Sequence, residues 1–205
     1  MTTENNKNND SELQGPFSQM GRPGALDALR HDHHDVVLKK ARTALSKIET
    51  GKALLAVLDK YKYPVHILKG KEITYIAPDE KSITLFIPPQ YEGLDSIMAM
   101  ALGLGIRELE QVLMGYPRAD SSMDDIAFCQ RTLTKSVDIT TYMCRIADEY
   151  HSNYDNHKPL DKVIELGHGE VYQAYKNKVS YDEFVDIFVE KDIEAYENGN
   201  TGNVE

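Results

Sequence analysis

A hydrolytic or metal-dependent site needs a base, and usually a metal or a nucleophile, converging on one cleft. The groups here that could supply it are seven histidines, two cysteines and a surplus of carboxylates. The histidines do not converge by spacing: His31, His33, His34, His66, His151, His157 and His168 are scattered, and none has a partner four residues on within a clear helical run. The tightest group, His31, His33 and His34 beside Asp32 and Asp35, has the composition of a divalent-metal patch, but a solvated helix start is the commoner source of such a run. Spacing this tight lets at most a pair face one ion. Glu108, Glu110 and Asp138 could form an acidic cluster for a hard cation, although a solvated or arginine-paired carboxylate is the commoner outcome. No phosphate-binding loop, dinucleotide fingerprint or nucleophile elbow occurs.

The element that must position any such groups is the stretch from Leu94 to Gly115, LDSIMAMALGLGIRELEQVLMG. On a helical period its apolar residues point in every direction, which predicts a core helix buried on more than one face. Asp95 or Ser96 can cap its start, and Gly115 followed by Tyr116 and Pro117 supplies the stop. The uncharged run is far short of the roughly 20 residues that cross a bilayer. Gly103 and Gly105 each cost about 1 kcal/mol inside a helix relative to alanine. Either a strand or second helix approaches closely there, or the glycines occupy a place where functional side chains once stood.

Around this helix the pattern predicts an α+β fold, mainly helical, with a small three-stranded antiparallel sheet packed on the central helix. Residues 1–24 have too few large apolar groups to offset the entropy of ordering and read as a disordered tail. From Val36 to about Tyr61 apolar residues recur at helical intervals, with Gly51 as the expected break into two helices. Three β-rich runs follow, PVHIL (64–68), EITYI (72–76) and SITLFI (82–87), separated by turn residues and ended by Pro88 and Pro89, the signature of a meander. His66, in the first, reads as a half-buried structural histidine. A long helix is expected from Ser122, with Asp125 at its N3 position, to about Tyr150. Its outer face carries Arg131, Lys135, Arg145 and Asp148, while Asp138 lies near the apolar stripe, where a buried salt bridge to Arg107 is its sensible use. His151–Pro159 reads as a polar connection. The helical region 161–176 should break at Gly167-His168-Gly169, and Ser180 with Glu183 opens a last helix through a capping box. One domain, 25–197, with a second disordered tail over 198–205, accounts for the chain.

Composition narrows the partners. A formal charge of −10, from 33 acidic against 23 basic residues, argues against a nucleic-acid backbone, whose binding relies on Lys and Arg neutralising phosphates. It also disfavours anionic membrane surfaces. Cys129 and Cys144 fall on one predicted helix, fifteen residues and so roughly 22 Å apart, and cannot pair within the chain. With no apolar leader before residue 36, a reducing cytoplasm is the expected compartment.

The order of elements, a meander ending in SITLFIPP, then the central helix, then a second long helix, resembles a bacterial family of zinc metallopeptidases with a zincin-like core. In that family LGIRELEQ (104–111) is the place of a His-Glu-x-x-His motif, often continuing through Arg-His to Gln. Two histidines four apart share one helical face and a zinc ion, and the intervening glutamate activates the bound water. The positions that match read Leu104, Gly105 and Glu108, with Arg107 and Gln111 keeping the family's residue types. The family's third ligand, an acid within a Glu-Ala-Asp-Ala-like stretch on the next helix, matches Ser136 in Ser136-Val137-Asp138-Ile139, where Asp138 is retained. Leucine and glycine neither ligate a metal nor act as a base. The resemblance therefore implies a dismantled site: a non-catalytic relative that holds no metal or other cofactor and serves as a protein-binding or structural module, with the sheet edge as the place where a partner adds a strand. The alternative is a working metal-dependent hydrolase drawing on Glu108, Asp138 and a histidine from elsewhere.

Overall fold

The structure, a computed structural model, describes residues 23–77, 81–116 and 122–201. Among these the order is α1 (Pro23–Leu45), α2 (Glu49–Tyr61), β1 (Val65–Lys69), β2 (Thr74–Ile76), β3 (Ile83–Ile87), α3 (Asp95–Leu113), α4 (Asp125–Tyr154), α5 (Lys158–Glu165), α6 (Gly169–Asn177) and α7 (Tyr181–Thr201). The chain divides into two units, Met1–Val36 and Val37–Glu205. In the first, the described part is the start of α1, which includes Pro23 and Gly24. The rest of the expected N-terminal tail lies outside the described residues, as do residues 202–205, whereas 198–201 are helical.

The apolar stripe of the first helical region places Val37, Ala41, Ala44 and Leu45 in the core, then Ile48, Leu54, Leu55 and Leu58. The break falls at Ser46–Ile48, not at Gly51. Ile48 adopts an extended backbone before α2 begins, and Gly51 sits inside the first turn of α2. A Cβ at Gly51 would lie 1.9 Å from the Leu45 carbonyl oxygen, so this glycine lets α2 fold back against the end of α1. The start of α2 has no cap of its own. Glu149, on α4, accepts from the Thr50 amide (3.1 Å) and from the Thr50 hydroxyl, capping the helix from a distance in sequence.

The sheet corrects the meander. Its order is β1-β3-β2, with β1 parallel to β3 from Val65 opposite Ile83 to Lys69 opposite Ile87, and β2 antiparallel to β3 from Thr74 opposite Phe86 to Ile76 opposite Thr84. The sheet is therefore mixed. SITLFI holds the most apolar run of the three, and as the central strand it is covered on both faces: Ile83, Thr84, Leu85 and Ile87 are all buried. The link from β1 to β2 crosses the end of β3, where the Gly70 amide donates to Ile87 O at 3.1 Å. His66 is exposed on β1, not half-buried.

α3 is the core helix that its composition demands, with Met98 through Arg107 buried without interruption, and it packs against α2, α4, α5 and the sheet. Its first residue is Asp95, so the expected side-chain cap is absent: Leu94 occupies the cap position. Its end is the expected one. Gly115 takes φ +77°, and Tyr116 N and Gly115 N donate to Gln111 O and Val112 O, a Schellman stop. α4 begins two residues later than expected, capped by Asp124, whose Oδ1 accepts from Ala127 N at 2.9 Å. It runs on to Tyr154, taking up part of the expected polar connection. α5 and α6 break at Gly167 (φ +85°), and Ser180 Oγ accepts from Glu183 N at 3.2 Å at the start of α7. No helix among the described residues is long and apolar enough to cross a membrane.

Candidate functional site

The middle of α3 shows what its two glycines do. A Cβ on Gly103 would meet Ile146 Cδ1 of α4 at 3.0 Å, and Leu45 and Leu54 at 3.4 Å. A Cβ on Gly105 would lie 2.8 Å from Ile83 Cγ2 of β3 and 3.2 Å from Tyr75 of β2. Helices press on one glycine and the sheet presses on the other, which is the close-approach account. Leu104, between them, is buried.

One turn on, α3 becomes polar on the side that faces α4. Arg107 is 5% exposed and carries the expected pair with Asp138: Nε donates to Oδ2 at 2.7 Å and an Nη to Oδ1 at 2.8 Å, the bidentate geometry of a strong guanidinium–carboxylate contact. The other Nη donates to Glu110 at 2.6 Å, and the guanidinium stacks 4.3 Å from the Tyr142 ring centre. Desolvation works against the charge, but the hydrogen bonds to Asp138 and Glu110 outweigh it and hold the guanidinium even further above neutrality than usual. Two members of the proposed acidic cluster, Glu110 and Asp138, are thus paired with Arg107. Gln111 is wholly buried and donates from Nε2 to Asp138 Oδ2 (2.8 Å) and Lys135 O (3.1 Å).

Glu108 points elsewhere. With Gln111 it lines a groove of about 340 Å³ whose opposite wall is Ser136 and Thr140 of α4, closed by Tyr75, His168 and Phe188. Tyr75 is hydrogen-bonded to Glu108; burial, and then the carboxylate charge, push its phenol well above the usual range, so it stays protonated and donates. His168, at the entry to α6, lies nearly parallel to the Phe188 ring (8°, centroids 6.1 Å apart). Of the four positions singled out by the resemblance, Glu108 and Ser136 meet across this groove, while Leu104 and Gly105 are not part of its lining.

No protein-family model, curated protein or solved structure matches this chain.

Among the described residues, no group of three or more His, Cys, Asp or Glu side chains is placed to hold a metal ion. Of the histidine patch, the side chains of His31 and His33 lie outside the described residues, and His34 Nδ1 stands 3.4 Å from Asp35. Cys129 is exposed and Cys144 buried on α4, both as free thiols. Of the groove's members, Tyr75, Thr140 and Phe188 were not among the sequence candidates. Glu108 with Gln111, three apart, and Ser136 with Thr140, four apart, share helical faces and were legible as pairs; nothing in Gly167-His168-Gly169 marks the histidine for this site.

Proposed function

We propose that this chain is a non-catalytic relative of the zincin-like metallopeptidases, a cytoplasmic module that binds another protein. The observation that carries this reading is the packing of Gly105. The position that would hold the catalytic glutamate has Ile83 and Tyr75 against it, too close for even a Cβ. Around it, Leu104 is a buried aliphatic, and Asp138 has both oxygens committed to Arg107 and Gln111. The charge of −10 supports a protein partner over a nucleic acid. β1 lies at one side of the sheet in the order β1-β3-β2, which supports strand addition as one mode of contact.

The alternative, a metal-dependent hydrolase with unusual ligands, draws on one observation: Glu108 and His168 line the same groove. Metal analysis of the purified chain, before and after incubation with zinc, separates the two, together with cleavage assays on unstructured peptides. The proposal expects no stoichiometric zinc and no cleavage; tightly held zinc with metal-dependent cleavage overturns it.

A further inference from the structure

The first half of α4 is a helix without a core. None of residues 125–136 is buried, and the buried positions of α4 begin at Val137. This half nevertheless carries an apolar stripe, since Ile126, Leu133 and Val137 lie within about 40° of one another around the helix. Val137 is buried and Leu133 is half-buried against the core, but Ile126 is 71% exposed, the highest value for a large apolar side chain among the described residues. Helices in proteins draw most of their stability from the packing of such a stripe, and here the stripe runs on past the elements that cover it.

Where the stripe leaves the core, Leu133 and Val137 line a groove of about 300 Å³ together with Tyr181, Asp182, Val185 and Asp186 from the start of α7. Tyr181 is 65% exposed. Asp182, Val185 and Asp186 share one side of α7, so the apolar lining carries two exposed carboxylates and no cation. The basic residues of this half of α4, Arg131 and Lys135, lie about 140° or more round the helix from Ile126. Asp124 and Asp125 add negative charge at the helix start, next to Ile126. The occupant that matches such a surface brings apolar side chains at a spacing of one to two helical turns, flanked by cations. A second copy of this chain is a poor match, because it brings the same carboxylates and a further net charge of −10 to the contact.

We propose that the groove between the first half of α4 and the start of α7 is a docking surface for a basic amphipathic helix of a partner protein, whose apolar stripe covers Ile126, Leu133 and Tyr181 while its cations meet Asp182 and Asp186. The inference rests on the protein-binding reading above and names the surface and the chemistry of its partner.

The test is a titration of the isotopically labelled full chain, followed by NMR, with capped model peptides of about 18 residues. The first carries leucines at helical spacing and lysines on its other face; the second has glutamates in place of the lysines; the third has alanines in place of the leucines. The lysine and leucine peptide is expected to shift the backbone signals of residues 126, 133, 181 and 185 and to bind roughly tenfold more tightly than either control. Asp182→Asn combined with Asp186→Asn, and separately Ile126→Ser, should each lower its affinity by about tenfold. All three positions are exposed, so the spectrum of each variant should otherwise be preserved. Either control binding as tightly as the first peptide, shifts confined to other surfaces, or variants that bind as the parent does each overturn the proposal. A dimer in sedimentation that Ile126→Ser dissociates also overturns it, since the occupant would then be a second copy. The zinc and cleavage assays above keep the two readings apart. Zinc-dependent cleavage refutes the non-catalytic reading and this inference with it; failure of the peptide where zinc and cleavage are also absent refutes the inference alone.

Discussion

Gly105→Ala separates the two explanations of the glycines in α3. Replacing a helical glycine by alanine is worth about 1 kcal/mol in propensity. The new methyl would lie 2.8 Å from Ile83 Cγ2, a contact that one side must relieve. Cγ2 branches directly from Cβ on a buried central strand, so it cannot swing away as the end of a long side chain would. Overpacking of this kind costs about 1–3 kcal/mol, leaving Gly105→Ala destabilised by about 1 kcal/mol net. At Gly103 the nearest atom, 3.0 Å away, is the terminal Cδ1 of Ile146, which can rotate. Gly103→Ala should therefore be neutral or stabilising by up to about 1 kcal/mol. Removing the obstruction makes the test specific: Ile83→Ala deletes both of the Ile83 carbons that approach Gly105. In that background Gly105→Ala should become stabilising, giving a coupling of about 2 kcal/mol in the double-mutant cycle. Urea unfolding followed by far-ultraviolet circular dichroism measures all four proteins, provided the m-value is constant. If Gly105→Ala stabilises the parent chain, or has the same effect with and without Ile83, close packing is not why the glycine is there. The position would then have room for a larger residue, including a glutamate.

Three further outcomes are expected. Asp138→Ala strands the buried Arg107 with Glu110 as its remaining carboxylate and leaves Gln111 without its stronger acceptor, so unfolding in urea should reveal a loss of about 3 kcal/mol; a change under about 0.5 kcal/mol would mean that the pair is not holding α3 to α4. Glu149→Ala removes the remote cap of α2 and should cost about 1–2 kcal/mol, with faster hydrogen exchange at Thr50 than at the far end of the helix; uniform acceleration would refute a local capping role. Cys129 should react with iodoacetamide in the native protein while Cys144 waits for unfolding, since burial pushes the Cys144 thiol up to about 12. A folded pKa above the unfolded value of about 8.5 means that the contribution of Cys144 is complete below that pH and is lost as pH rises towards 12. Stability should fall across this alkaline range, and Cys144→Ala should flatten the fall; an identical alkaline profile in the variant would show that the thiol does not contribute.

How much of this was legible depends on whether the signal is local. A helix apolar on every side has to be central, and Leu94–Gly115 is. Gly115, Gly167 and Ser180 set boundaries through their own backbone and side chains, and those boundaries fall where the sequence places them. Strand pairing is not local in this sense. Alternation told which residues form strands but carried no information on which strand lies in the middle, and the consecutive hairpins it favoured gave way to a central β3 flanked by β1 and β2. The cap of α2 was invisible for the same reason: Glu149 is distant in sequence from the Thr50 amide that it accepts.

The polar turn of α3 shows where a helical period stops being enough. Arg107, Glu108 and Gln111 read alike as hydrophilic interruptions near the end of an apolar helix, yet they have two different fates. Arg107 and Gln111 are buried against α4, and Asp138 takes hydrogen bonds from both, tying α3 to α4 through one carboxylate. Glu108, offset by about 100° from Arg107 around the helix, instead faces the groove beside Tyr75 and Ser136. A carboxylate that must neutralise a buried guanidinium cannot also ligate a metal without exposing that guanidinium to the cost of isolation. Asp138 is therefore withdrawn from any cation chemistry by its service to Arg107, and the groove is left with acceptors on α3 that do not add up to a metal site.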